Sequence, residues 1–187
     1  MLAFLQIMKQ LRLVAILGLL LAGAAHSQSS LWRDPSGKPV PETESMKSKN
    51  DFAGSLLATT DEDWEKKWNT PPETKPNFNK AGVVPYGKKI FILTFFANPL
   101  KDNLGNANVR CDLKISTPGG KLSLAKQDMV CFSGRIAGSP YNLHLSTPVI
   151  GFSGDPGDPP GTWVVEVRLR DANRNVELPL RTTFQLK

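Results

Sequence analysis

Chemistry-bearing residues are scarce in this chain. Its 187 residues include two histidines, His26 and His144, and two cysteines, Cys111 and Cys131. No Cys-x-x-Cys, His-Glu-x-x-His, Gly-x-Ser-x-Gly or Walker sequence occurs. With His26 near or inside a leader, neither a Ser-His-Asp nor a Cys-His arrangement can be assembled with any force. Catalytic residues are therefore not assigned, no cofactor is expected, and the chain reads as a non-enzyme. Long cationic runs are missing too: the longest are the pairs Lys66-Lys67 and Lys88-Lys89. Nucleic-acid binders cluster lysine and arginine on one face, so nucleic acid is not an expected partner. No apolar run reaches the roughly 20 residues that a bilayer span needs.

What is present begins with a leader. Lys9 and Arg12 precede the apolar run from Leu13 to Leu21, and Ala22-Gly23-Ala24-Ala25-His26-Ser27 follows. A basic start, a short apolar stretch and a small-residue exit describe a cleavable secretory signal over residues 1–27. The expected product is exported, periplasmic or secreted, with no transmembrane segment in the mature chain. Loss of Lys9 and Arg12, with no acid alongside, takes the formal charge from +6 to +4. In an oxidising compartment, Cys111 and Cys131 are expected to form a disulfide.

The mature chain divides into three parts. Residues 28–50 are rich in Ser, Pro, Lys and Glu and read as a flexible arm, in which Trp32 is a tail aromatic rather than an anchor. Residues 51–82 read as a short helix and connecting segment. Thr60-Asp61-Glu62-Asp63 resembles a capping box, and Asn69-Thr70-Pro71-Pro72 is a stop. Trp64 and Trp68, four apart, share one face. They form either a lid on the main domain or an aromatic platform for a sugar or a protein. Asp61, Glu62 and Asp63 suit the positive end of a helix dipole better than a metal cluster, because consecutive helical positions point apart.

From residue 83 the pattern has period two. Lys88 to Ala97 is an apolar, aromatic run fit for a central strand. Val109, Cys111, Leu113 and Ile115 alternate with polar residues, as do Tyr141, Leu143 and Leu145. That phase puts His144 on a solvent-facing position. Gly151 to Gly161 holds four glycines and three prolines and must be a loop. Within it Asp155 and Asp158 are explained by turn chemistry, with calcium as the lesser alternative. Two long alternating strands close the chain, and Pro179 in the last requires an edge or a bulge.

About seven short strands with regular turns predict an all-β, immunoglobulin-like two-sheet sandwich with one short N-terminal helix, the sandwich spanning 83–187. Gly161, Trp163, Val165, Val167, Asp171, Leu180, Thr183, Phe184 and Leu186 resemble the last hairpin of bacterial immunoglobulin-like and fibronectin-III-like domains. The resemblance implies a fold and carries no catalytic residues. Only 19 residues separate the cysteines and no tryptophan lies between them. A bridge between neighbouring strands is therefore expected, not the antibody-type pin through the core.

The expected function is a binding or adaptor module of the cell envelope, recognising a protein partner through loops or a sheet edge. The sequence candidates for its site are Trp64, Trp68, Phe152, Asp155 and Asp158. The alternatives are a carbohydrate-binding module with a glycan as partner, or a copper site. The latter requires cleavage after Ala25, so that His26 becomes the amino terminus and can join His144 on the metal.

Overall fold

Strand β4 (Ile90–Ala97) is the apolar run IFILTFFA, and it is buried on both sides. Ile90, Ile92 and Phe96 join the central core, whereas Leu93 and Phe95, at 0% and 5% exposure, are buried outside it. That double burial explains why the run does not alternate. The computed structural model in which β4 sits describes residues 30–34, 36–71 and 76–187.

The remaining elements in chain order are β1 (Met46–Lys49), β2 (Phe52–Thr59), α1 (Trp64–Trp68), β3 (Val83–Val84), β5 (Asn106–Ser116) and β6 (Leu122–Arg135). After them come β7 (His144–Leu145), β8 (Ile150–Phe152), β9 (Gly161–Asp171) and β10 (Val176–Leu186). They build the expected two-sheet sandwich with one short helix. The first sheet runs β1-β2-β4-β7, with β8 also on β4; the second runs β3-β10-β9-β5-β6. Trp163, fully buried, centres the core with its rings near Phe152 and Phe184, and its indole N–H donates to the Pro159 carbonyl at 3.0 Å.

Two stretches differ from the sequence reading. Phe52–Thr59, expected to lead into a helix, is the strand β2, and Met46–Lys49, expected within a flexible arm, is its edge partner β1. The sandwich therefore starts upstream of residue 83. Strand β2 hides its period because both of its faces are also covered: Phe52, Leu56 and Ala58 point to the core, while Ala53 is buried on the other side. Gly54 brings the sheets together there. A Cβ on it would stand 2.6 Å from Leu169 Cδ2. The arm is anchored as well. Leu31 N–H donates to Ser48 Oγ at 3.2 Å and the Trp32 indole N–H to the Lys47 carbonyl at 3.4 Å, so half-buried Trp32 is an anchor.

Cys111 and Cys131 form the expected disulfide between the neighbouring strands β5 and β6, and both are buried. Pro179 stands opposite Arg168 where β10 is an edge, because the short β3 reaches only Gln185 and Leu186.

Replacing both cysteines by alanine should lower unfolding free energy by about 3 kcal/mol, the loop-closure value for a separation of this size. Gly54→Ala should cost about 1–3 kcal/mol through overpacking against Leu169. Urea unfolding of the native chain and the two variants measures both effects.

Candidate functional site

Helix α1 lies over the outer face of the first sheet. Trp64 reaches Phe91 at 6.0 Å between ring centroids, and Trp68 reaches Phe95 at 5.3 Å, joined there by Phe78 at 6.0 Å. Both tryptophans are half-buried. The helix is thus the lid among the two sequence readings, and it closes the outer face of β4.

A carboxylate holds the lid in place. Asp61, 9% exposed, accepts from the Asn79 backbone N–H at 2.8 Å and from Asn79 Nδ2 at 2.9 Å, and pairs with Lys67 Nζ at 2.9 Å. Burial raises the pKa of this carboxyl, but Lys67, Asn79 and Thr59 outweigh it and lower the value to about 2. The expected capping box at Thr60 is not formed. Asp63 is the N-cap and makes no side-chain capping bond. Asp61 is drawn away to Asn79 and Lys67, and Glu62 pairs with Lys88. Glu62 diverges from its neighbours, whereas Asp61 and Asp63 both reach Lys67 Nζ, at 2.9 and 3.5 Å.

The other sequence candidates sit at the end of the sandwich that carries the β8–β9 loop. Phe152 packs on Trp163 and Phe184 at 5.3 and 5.9 Å. Asp158 closes a turn on Asp155, accepting from the Asp155 N–H through its carboxylate at 2.9 Å, and its own carbonyl accepts from the Tyr86 hydroxyl at 3.0 Å. Gly154 has no room for a side chain: a Cβ would lie 2.4 Å from Leu186 Cδ2. These residues shape the loop and its seat on the core. Among the described residues no three His, Cys, Asp or Glu side chains gather as metal ligands. His26 lies outside the described residues.

His144 departs from its expected solvent-facing position. Its register partner is Phe96, and the two rings stack at 5.4 Å. The strand phase read from Tyr141 to Leu145 does not hold, because residues 141–143 belong to a loop and β7 starts only at His144.

The opposite end of the sandwich holds what the sequence reading missed. Asn98 N–H donates to the Pro140 carbonyl at 2.6 Å, tying the 98–105 loop to the 136–143 loop. Asp171, fully buried at the end of β9, accepts from the Leu100 N–H at 2.8 Å and pairs with Arg174. Asn173 Nδ2 donates to the Leu100 and Asn106 carbonyls. Asp102 accepts from the Leu104 and Asn106 amides, each at 2.8 Å. The 98–105 loop is closely braced and the 136–143 loop is tied to it, and together they expose Leu100 at 42%, Leu104 at 73%, Tyr141 at 68% and Leu143 at 40%. These are four of the seven exposed large apolar residues among those described. The only sequence signal was apolar residues set in polar, turn-forming segments.

Sheet edges offer less. The longest, β6, has three register shifts along its pairing with β5, and such bulges twist an edge away from pairing. The edges β1, β7 and β8 span four, two and three residues. A groove of about 370 Å³ on the outer face of the second sheet is lined by Glu44, Lys114, Glu166, Arg168 and Arg181 among others. Arg181 is paired there with Glu44, and Arg168 with Glu177.

Because the folded pKa of Asp61 lies below its ordinary 3.8, its contribution is present above about pH 4 and is lost as pH falls through about 2. A shift of this size corresponds to about 2 kcal/mol. Asp61→Asn should remove that share of the acid sensitivity and loosen the lid, read as a pH titration of tryptophan emission beside the native chain.

No protein-family model matches the chain, and no curated protein matches it. Among solved structures it is similar to a family 123 glycoside hydrolase from Clostridium perfringens, with 8% identity and a TM-score of 0.42 over 72% of this chain. The chain spans 27% of that hydrolase. A Niemann-Pick type C2 protein from Japanese carpenter ant is similar at 8% identity and a TM-score of 0.38, over 71% of this chain and 89% of its own. A CARDB domain from Pyrococcus furiosus is similar at 11% identity and a TM-score of 0.38, over 79% of this chain and all of its own. Likenesses of this size carry no statement about what this chain does.

Proposed function

We propose that this is an exported, non-enzymatic binding or adaptor module of the cell envelope. Its immunoglobulin-like sandwich recognises a protein partner through the loops at 98–105 and 136–143. The observation that carries the reading is that Leu100, Leu104, Tyr141 and Leu143 stand exposed at one end of the sandwich, on loops held by Asn98, Asp102, Asp171 and Asn173. Exposed apolar groups gathered in one region mark interaction sites. A pre-organised surface loses less entropy on binding. Tyrosine is favoured among residues that dominate binding energy. The leader-like residues 1–27 and the disulfide support export.

Photo-crosslinking in cells tests the reading, with the reactive group at position 104 and, separately, at Lys66 on the lid. A recurrent protein adduct from position 104 and none from Lys66 is the expected result. Leu104→Asp with Tyr141→Asp should then reduce adduct yield at least tenfold with stability within about 0.5 kcal/mol, as for other surface changes. An adduct confined to Lys66, or none from either position, removes the loop end from consideration.

A further inference from the structure

His144 is placed to sense protons. It opens β7, the two-residue strand that ends the 136–143 loop and holds it to β4 through the pairs Phe96–His144 and Phe95–Leu145. Its ring lies stacked on the core residue Phe96, and its Nε2 is buried with no hydrogen-bond partner. A neutral ring tolerates that at the cost of one unmade hydrogen bond. A protonated ring would place a charged N–H donor in the same position, and a buried charge without a partner costs far more.

The surroundings give a proton little compensation, and what there is comes from the Ser139 backbone. Strand β4 presents the apolar Phe96. Lys101, from the 98–105 loop, is the one charged group acting on the ring, and it repels a positive imidazole. Burial is the largest influence and lowers the pKa below the ordinary 6.5; the Ser139 backbone pulls the other way, and Lys101 adds to the lowering.

We propose that protonation of His144 releases the 136–143 loop, so that the loop end is ordered for its partner near neutral pH and loosened in acid. The inference rests on the reading of that end as the recognition surface. Its sign follows from the native preference for the neutral ring. That stabilising share is complete above about pH 6.5 and is lost as pH falls below it. Leu145, the core residue Ile136 and the Asn98–Pro140 bond are then left to hold a loop that carries both Tyr141 and Leu143.

The test needs no partner. Imidazole signals of the native chain are followed by NMR from pH 8 to 4.5, with His144→Gln identifying the resonance, and amide exchange of residues 136–143 is measured over the same range after correction for intrinsic rates. The expected result is a His144 midpoint below 6.5, with loop exchange rising at least tenfold as the ring titrates. Exchange in His144→Gln and His144→Phe should stay flat. A midpoint at or above 6.5, or loop exchange that does not change through the titration, overturns the switch. That outcome leaves the loop end free to bind its partner, because crosslinking at position 104 is read independently. Conversely, flat exchange in the variants with a tenfold rise in the native chain establishes the switch even where the loop end captures nothing.

Discussion

A strand that is apolar on both sides has to be covered on both sides, and β4 is such a strand. Its inner residues Ile90, Ile92 and Phe96 meet the second sheet. Its outer residues Phe91 and Phe95 need a cover of their own, supplied by Trp64, Trp68 and Phe78. From this constraint follow the third layer on one face of the sandwich, the position of the short helix, and the burial of Asp61. A five-residue helix has too little cooperativity to stand alone. Its stability comes from the aromatic contacts beneath it and from the carboxylate that joins Lys67 to Asn79.

The same constraint narrows where the proposed recognition can take place. The lid closes the outer face of β4. Charged pairs cover the second sheet, where Arg170 grips Asp112 through two bonds and Arg110 grips Asp128. The longest edge, β6, is broken by bulges, and the open side of β10 carries Pro179 and is met by Glu44, whose carbonyl accepts from the Arg181 N–H. What remains is the loop end. Its polar groups are spent on bracing: Asp102 bonds amides of its own loop, Asp171 and Asn173 hold that loop from the end of β9 and the turn after it, and Asn98 ties it to the 136–143 loop.

Much of the sandwich was legible in residue order. The closing pair of strands alternates over its full length, and all eleven positions of β10 pair with β9 in the register that this alternation demands. The cysteine spacing implied a bridge between neighbours, and Pro179 implied an edge. The failures share a cause. Periodicity reports one buried face against one wet face, and β2 has neither a wet face nor a side chain at Gly54 to show which way it points. Trp32 sits in a stretch of tail-like composition, and only its bond to Lys47 reveals it as an anchor. The loop end was missed for a related reason. Leu104, Tyr141 and Leu143 are isolated apolar residues among turn formers, and nothing in local order shows that two separate loops bring them to one end.

Hydroxyl-radical footprinting of the native chain tests the central claim most directly, because it reads side-chain access residue by residue. Strong labelling of Leu104 and Tyr141 is expected, with Leu93 and Phe95 protected on the outer face of β4. Labelling of Leu93 and Phe95 to the same extent as Tyr141 would mean that the outer face of β4 is open, and the confinement of recognition to the loop end would fall with it.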